Sequence, residues 1–473
     1  MSSPGAAAPG LDAMRAAFER QRAACLRDPH PSVAYRRAQL EHLAAAIKAA
    51  RPEIEQAIST DFGHRAPQET ALAEIFTLLE AIRYTARHLE HWAKPERRAV
   101  SFWHRPGYAR LYKQPLGVIG IIVPWNYPLY LAAGPLVSAL AAGNRAMVKM
   151  SEFTPHFGAL WARLVADRFP AEEISVINGG VEIAEAFTRL PFDHLLFTGS
   201  TRVGREVMRA AADNLTPVTL ELGGKSPAIV CDDYPLALAA RRILYGKCTN
   251  AGQTCVAPDY VLVPAAKVPA FIGAARETVT GFFPTLASDD YTSIASERQY
   301  ARLAAYLDDA RAKGATLHPL HAEPSDPVTR KLVPTALTDV TSAMQVMQDE
   351  IFGPILPIVP YGGLDEAIAF VNARPRPLAL YAFSDDRATI DRLLSVTASG
   401  GVTVNDTMLH VAQDALPFGG VGASGMGVYH GREGFDAFSK LRGVYYQRRF
   451  NGLPWLQPPY GERFSRLIRL MLR

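Results

Sequence analysis

Apolar residues along the chain change their spacing from one stretch to the next. Between residues 11 and 92 they recur at helical intervals, as in Leu40, Leu43 and Ile47 and again in Ile75, Leu79 and Ile82, which predicts helices. Residues 100–114 carry alternating apolar and aromatic positions (Phe102, Trp103, Tyr108, Leu111, Tyr112) and read as a hairpin. From 115 to 230 short apolar runs alternate with helical stretches. The runs are Gly117–Val123, Arg145–Lys149, Ile174–Ile177, His194–Phe197, Val218–Leu220 and Pro227–Val230. That rhythm predicts βαβ units and a parallel sheet. A second series spans 231–400, with strands at Tyr260–Val263, Ile355–Val359 and Ala379–Phe383 and a helix near 298–312. Residues 417–434 are so rich in glycine that they read as a loop. The expected fold class is α/β, two series packed face to face around a cleft fit for a cofactor.

No charged residue occurs from Pro115 to Gly143, a length that could span a bilayer. Pro124, Pro128 and Pro135 interrupt it, and Asn126 sits in its middle. A buried strand, a tight turn at Pro124–Pro128 and a buried helix account for it better than a membrane span.

Composition narrows the classes. The 473 residues are 48% hydrophobic and 20% charged, a globular balance that excludes a disordered or fibrous chain. Fifty Lys+Arg against 46 Asp+Glu leave a formal charge of +4, too little for nucleic acid to be the main partner. The four cysteines, at 25, 231, 248 and 255, show no C-x2-C spacing. No metal site is expected, and a reducing cytoplasm suits the chain. Met1–Leu11 lacks the basic and apolar regions of a signal peptide. In Gly461–Arg473, Phe464, Leu467, Ile468 and Met471 share a helical face flanked by Arg463, Arg466, Arg469 and Arg473. Packing against protein or a partner subunit is favoured over peripheral membrane contact.

Two motif matches fail. Gly420–Gly425 spells G-x-G-x-x-G but lacks the strand before and the helix after. Gly223-Gly224-Lys225-Ser226 ends like a Walker A loop, yet Thr219 stands where its first glycine belongs.

Six segments combine chemistry with context. Asn250-Ala-Gly-Gln-Thr-Cys255 offers a thiol; taken alone it reads as a buried inert cysteine, and a nucleophile there needs activation. A helix starting near Thr254–Cys255 would supply it through its dipole. Glu221 ends a predicted strand ahead of Gly223 and Gly224. It reads either as a solvated carboxylate or as a cleft general base. Asn126, in Pro124-Trp-Asn-Tyr-Pro128, either pins its turn or aims a donor at a developing oxyanion. Phe197-Thr-Gly199-Ser200-Thr-Arg-Val-Gly204 is strand, turn and capped helix, a place for an anion. Lys149 and Glu152 could bind ribose hydroxyls or stand in solvent. Glu350-Ile-Phe352-Gly-Pro354 could hold a sugar and a flat ring or be an ordinary turn.

Together and in this order, the segments resemble the aldehyde dehydrogenase superfamily from about residue 20 to 445. Asn250–Tyr260 and Pro417–Gly431 look like its class 3 branch, which oxidises fatty and aromatic aldehydes. Asp61-Phe-Gly-His-Arg65, Thr403–His410 and Gly431–Phe435 look closest to the coniferyl aldehyde dehydrogenases.

That resemblance implies Cys255 as nucleophile, Glu221 as general base, and Asn126 with the Cys255 N–H as oxyanion hole. It implies pyrophosphate at Gly199–Gly204 and Ser200, adenosine ribose at Lys149 and Glu152, and nicotinamide ribose at Glu350. Phe352 lies against the nicotinamide side, and Trp125 and Leu222 join the cofactor contacts. Tyr127 and His410 fall near the substrate channel. Met150 departs from the family, which usually has Pro after the lysine.

Implied domains are 1–97 with 114–220 for NAD(P), 221–400 for catalysis, 98–113 with 430–450 as a bridging element, and a 451–473 tail. A homodimer is implied, and NAD is favoured, with NADP open, because Glu152 would repel a 2′-phosphate. The implied reaction takes an aldehyde, of the coniferyl type first and aliphatic second, through a thiohemiacetal and thioester to the acid. A CoA-acylating enzyme and a structural use of the fold are the alternatives, against which stand Glu221 and the intact Cys255, Glu221 and Asn126 set.

Overall fold

The computed structural model describes residues 9–473. The predicted helical stretch divides into Pro9–Arg27, Val33–Ala49, Arg51–Phe62 and Thr77–Ala93. Local chemistry sets the breaks. Ser32 caps the second helix by accepting from the Tyr35 N–H, and Gly63, at φ +78°, ends the third. A π-helical turn, Ala71–Phe76, precedes the last.

The apolar runs become two large sheets. The first has spatial order Gly425–Met426, Val218–Glu221, His194–Thr198, Val118–Ile122, Arg145–Lys149, Ile174–Ile177, all parallel except the two-residue outer strand. The second runs Thr316–Pro319, Thr335–Thr338, Ile355–Tyr361, Tyr260–Pro264, Pro227–Val230, Ala379–Phe383, Gly401–Val404, parallel apart from its first pair. Pro227–Val230 therefore leaves the series in which its spacing placed it and joins the second sheet. The glycine-rich stretch is not wholly loop. Gly425–Met426 pairs with Leu220 and Glu221, and Gly431–Ala437 is a helix.

Strand order positions the site. The chain leaves Val118–Ile122 toward one sheet edge and returns to His194–Thr198 on its other side, which makes a switch point. Ligands bind outside the carboxyl ends of strands at such a point. Asn126, Lys149, Ser200 and Glu221 all lie at or just beyond those ends. In the second sheet, Cys255 and Glu350 lie just before the strands Tyr260–Pro264 and Ile355–Tyr361, at amino ends.

The uncharged segment folds as predicted: strand, turn and the helix Tyr130–Ala142, every residue of which is buried. It packs against Val33–Ala49, Thr77–Ala93 and Gly431–Ala437. Gly434 permits the last contact, since a Cβ there would meet Ser138 Oγ at 2.6 Å.

A third, antiparallel sheet joins Glu96–Arg98, Tyr108–Pro115 and Ser439–Tyr446. The predicted hairpin thus begins earlier than its aromatic pattern, because Glu96-Arg-Arg98 carries no apolar signal. In the tail helix Glu462–Met471 no residue is fully buried, but Phe464, Leu467, Ile468 and Met471 are half-buried, so the chain covers the apolar face in part. Among the described residues no helix is long and apolar enough to cross a membrane.

Gly425 ties the glycine-rich stretch to the site. Its φ is +145°, and a Cβ there would lie 2.1 Å from the Leu220 carbonyl oxygen. Gly425→Ala is expected to lose about 1–3 kcal/mol, read by denaturant unfolding. An unchanged midpoint would contradict this account of the pairing.

Candidate active site

A cleft of about 240 Å³ opens between the two large sheets. Trp125, Asn126, Gly199, Ser200, Glu221, Leu222, Cys255, Glu350 and Phe352 line it, joined by Thr198, Gln299 and Arg302. Residues far apart in the chain thus meet on one surface. A larger hollow of about 450 Å³, beside His64, Glu323 and Lys331, contains none of them.

Cys255 is half-buried. The structure corrects one expectation here: no helix starts at Thr254–Cys255. The loop follows the helix Leu236–Cys248 and a short 3-10 turn, and residues 254–257 bend into the strand at Tyr260. The thiol therefore gains no dipole from a helix of its own. Burial, then the charges of Glu350 and Glu221, push its pKa up to about 12; the N–H groups of Cys255 and Val256 pull weakly the other way.

Glu221 is 2% exposed, and neither carboxylate oxygen has a hydrogen-bond partner among the described residues. Desolvation pushes its pKa far above the usual carboxylate range. Glu350 is half-buried, and its Oε1 lacks a partner. Burial and the charge of Asp259 raise it to about 8. A Cβ on Gly223 would meet its carboxylate at 2.2 Å, so glycine there lets Glu350 reach the cleft.

Asn126 is buried, and its Nδ2 donates to the Gln253 carbonyl at 3.1 Å. A primary amide has two such hydrogens, so one remains for the cleft. Trp125 meets Phe352 edge-on at 5.5 Å. Phe352 holds a left-handed φ of +52°, strain that concentrates at functional positions.

On the side facing the first sheet, Ser200 caps the helix Thr201–Ala212 and accepts from the Val203 N–H at 3.4 Å. Among the described residues Thr198 Oγ1 is buried without a hydrogen-bond partner. Gly204 serves packing: a Cβ there would strike Leu222 Cδ2 at 2.7 Å. Lys149 is buried and donates to the Met150 and Gly179 carbonyls, while Glu152 is exposed; neither lines the cleft. Met150 donates its own N–H to the Ile177 carbonyl at 3.0 Å, a bond proline could not make.

Tyr127 and His410 also lie off the cleft wall. The Tyr127 hydroxyl pairs with Thr254 Oγ1 at 2.8 Å, beside the nucleophile loop. His410 Nδ1 pairs with Thr403 Oγ1 at 2.8 Å, and burial lowers its pKa to about 4. It belongs to an aromatic group of Tyr381, Phe418, Tyr429 and His430. The Tyr381 hydroxyl donates to the Val256 carbonyl, next to Cys255.

Sequence reasoning gave no role to Arg65, Glu69, Glu74 or the Asn250 side chain. Arg65, Glu74 and Asn250 are buried and Glu69 is half-buried, and together they join the turn and loop that carry Asn126 and Cys255. Their signal is faint, because charges within a helical pattern read as a solvated face.

The whole chain is similar to known proteins. The family model described as "Aldehyde dehydrogenase family" matches residues 7–444. The "Probable coniferyl aldehyde dehydrogenase" of Pseudomonas aeruginosa is 55% identical, over 97% of this chain and 96% of its own length. The substrate-bound state of Staphylococcus aureus AldH superposes with a TM-score of 0.92 at 39% identity, covering 97% of this chain and 99% of that one. The Mycobacterium tuberculosis aldehyde dehydrogenase complexed with NAD+ gives 0.84 at 30% identity, covering 94% and 91%.

With a thiol pKa near 12, the thiolate fraction of Cys255 rises with pH throughout the neutral range. Alkylation of Cys255 in the cofactor-free protein is expected to accelerate about tenfold per pH unit from 7 to 9, followed by mass spectrometry. A plateau already reached at pH 7 would show a thiol activated before any ligand binds.

Proposed function

Since the chain belongs to the aldehyde dehydrogenase family and so oxidises aldehydes with NAD(P), we propose that its substrates are aromatic aldehydes of the coniferyl type. The observation that carries the mechanism is the convergence of Cys255, Glu221 and Asn126 on one cleft. The substrate class is supported by the 55% identical relative and by the ring-rich group behind the nucleophile loop.

The cleft suits a dinucleotide. Glu350 Oε1 and Thr198 Oγ1 are left without partners, and Ser200 opens a helix N-terminus, where backbone N–H groups favour phosphate. Glu350 would hold the nicotinamide ribose, Phe352 and Trp125 the ring's side, Leu222 its other contacts, and Ser200 the phosphates. Lys149 and Glu152 would meet the adenosine ribose, and the Glu152 carboxylate disfavours a 2′-phosphate, hence NAD over NADP. When bound, the cofactor accepts hydride, which leaves the acyl group on sulfur as a thioester.

The remaining steps fall to the chain. Cys255 loses its thiol proton to solvent, its thiolate Sγ adds to the aldehyde carbon, and the carbonyl electron pair moves onto oxygen. The spare Asn126 N–H and the Cys255 N–H stabilise that oxyanion, an effect typically of about 3–4 kcal/mol per donor. Glu221 takes a proton from water as its oxygen attacks the thioester carbon. The C–S bond then breaks, and Cys255 leaves as thiolate with the acid released. A carboxyl held neutral by burial is a base only after losing its proton, so hydrolysis should rise with pH.

A homodimer fits the third sheet, whose outer strand Ser439–Tyr446 has one edge unpaired and exposes Leu441 and Tyr445. A cytoplasmic location fits the four free cysteines.

NADH formation with coniferaldehyde and with a medium-chain aliphatic aldehyde, each with NAD and NADP, tests the reading. Coniferaldehyde with NAD is expected to be turned over best. Cys255→Ala should abolish turnover, and Glu221→Gln should retain a single burst of NADH while steady turnover falls at least about 100-fold. Aliphatic preference would move the substrate class without touching the mechanism; full activity of Cys255→Ala would reject the mechanism.

A further inference from the structure

Behind the cleft lie three charged side chains. Arg65 and Glu74 are 0% exposed, and Glu69 is half-buried. Glu74 sits on the π-helical turn Ala71–Phe76, a distortion found mostly at functional positions. Its Oε2 accepts from the N–H groups of Leu129 (2.8 Å) and Tyr130 (3.0 Å), at the start of the central helix. Its Oε1 accepts from Arg65 Nη1 at 2.8 Å, and that same nitrogen donates to the Asn126 carbonyl at 3.1 Å.

The Asn126 carbonyl has a second donor, Asn250 Nδ2 at 3.1 Å. Asn250 belongs to the Cys255 loop, and Glu69 Oε1 accepts its backbone N–H at 3.0 Å. One guanidinium thus fixes the backbone of the Asn126 turn, while the neighbouring carboxylates fix what lies on either side. The Arg65 guanidinium also stacks over the Tyr127 ring at 4.7 Å, which closes the space around it. With its peptide carbonyl held at two points, Asn126 can turn only about its side-chain bonds, and the Gln253 carbonyl restrains those.

We propose that Arg65 is a positioning residue for the reaction: anchored by Glu74, it holds the Asn126 peptide so that the Asn126 amide faces the developing oxyanion. This rests on the role given to Asn126 above. Donors must stand where the oxyanion forms, and small displacements of a positioned group are costly to rate. Loss of Arg65 should therefore lower kcat and leave aldehyde KM nearly unchanged, the pattern of an interaction made only in the transition state.

The experiment is a double-mutant cycle between Arg65→Met and Asn126→Ala on the full chain, with kcat, KM and the Cys255 alkylation rate measured for each. Arg65→Met alone strands a buried carboxylate and endangers folding. The paired replacement Arg65→Met with Glu74→Gln avoids this and keeps an acceptor for Leu129 and Tyr130; thermal unfolding checks each variant. Asn126→Ala is expected to lose about 100-fold or more in kcat. The Arg65 variants should lose about ten- to 100-fold, with KM and alkylation within about twofold. Added to Asn126→Ala they should cost nothing further, because residues acting through one another are non-additive. Multiplying losses, or an undiminished kcat in folded Arg65 variants, would overturn the proposal while leaving the role of Asn126 standing. Wild-type kcat in Asn126→Ala would instead remove that role, and this proposal with it.

Discussion

Desolvation without compensation is the constraint on which the cleft depends. Glu221 shows two bare oxygens in the interior, Glu350 shows one, and the Cys255 thiol lies between their fields. Burial raises the proton affinity of both carboxylates, and burial together with their charges raises that of the thiol. Two nearby cations are engaged by other carboxylates: Lys225 bonds Asp259 and Arg65 bonds Glu74, while burial pulls Lys247 down to about 8 against the charges of Asp259 and Glu350. Arg302, on the cleft wall, and Lys225 draw Glu350 the other way, but burial outweighs them.

Keeping such a site shaped requires rigid surroundings. Asn250, Ala251 and Phe352 all hold left-handed backbone angles, at about 1–3 kcal/mol each. They persist because side chains distant in sequence over-determine them. Glu69 holds the Asn250 N–H, Gln253 bonds the Asn250 and Ser293 carbonyls, and the Ala295 N–H returns to Gln253 Oε1. The strain lies in the loops that face the cleft, and the restraint comes from Glu69 near the N-terminal helices and from the loop that carries Ser293 and Ala295.

Much of this was legible in the chain. Apolar runs marked the strands because both faces of a parallel sheet are buried, and Asn126, Ser200 and Glu221 were found at strand ends. What escaped was of two kinds. Long-range partnership leaves no local trace: Arg65, Glu69 and Glu74 look like helix-surface charges until the turn and the loop fold onto them. Backbone geometry overrode pattern elsewhere. The expected helix at Cys255 is absent because Asn250 and Ala251 turn left-handed ahead of it and Pro258 follows it. Gly425–Met426 forms a strand because glycine alone allows so close an approach to Leu220.

The central helix has a consequence for the making of the protein. Tyr130–Ala142 is surrounded on all sides, but one of its covers, Gly431–Ala437, is synthesised only after the strands of both large sheets. A chain emerging from its N-terminus therefore carries an uncharged, apolar segment through the synthesis of both sheets before that side can be sealed. Translation that stops short of Gly431 yields a polypeptide with both sheets' strands present and its innermost helix open to self-association. Gly431–Ala437 thus separates chains whose central helix is covered from those that chaperones and proteases must handle.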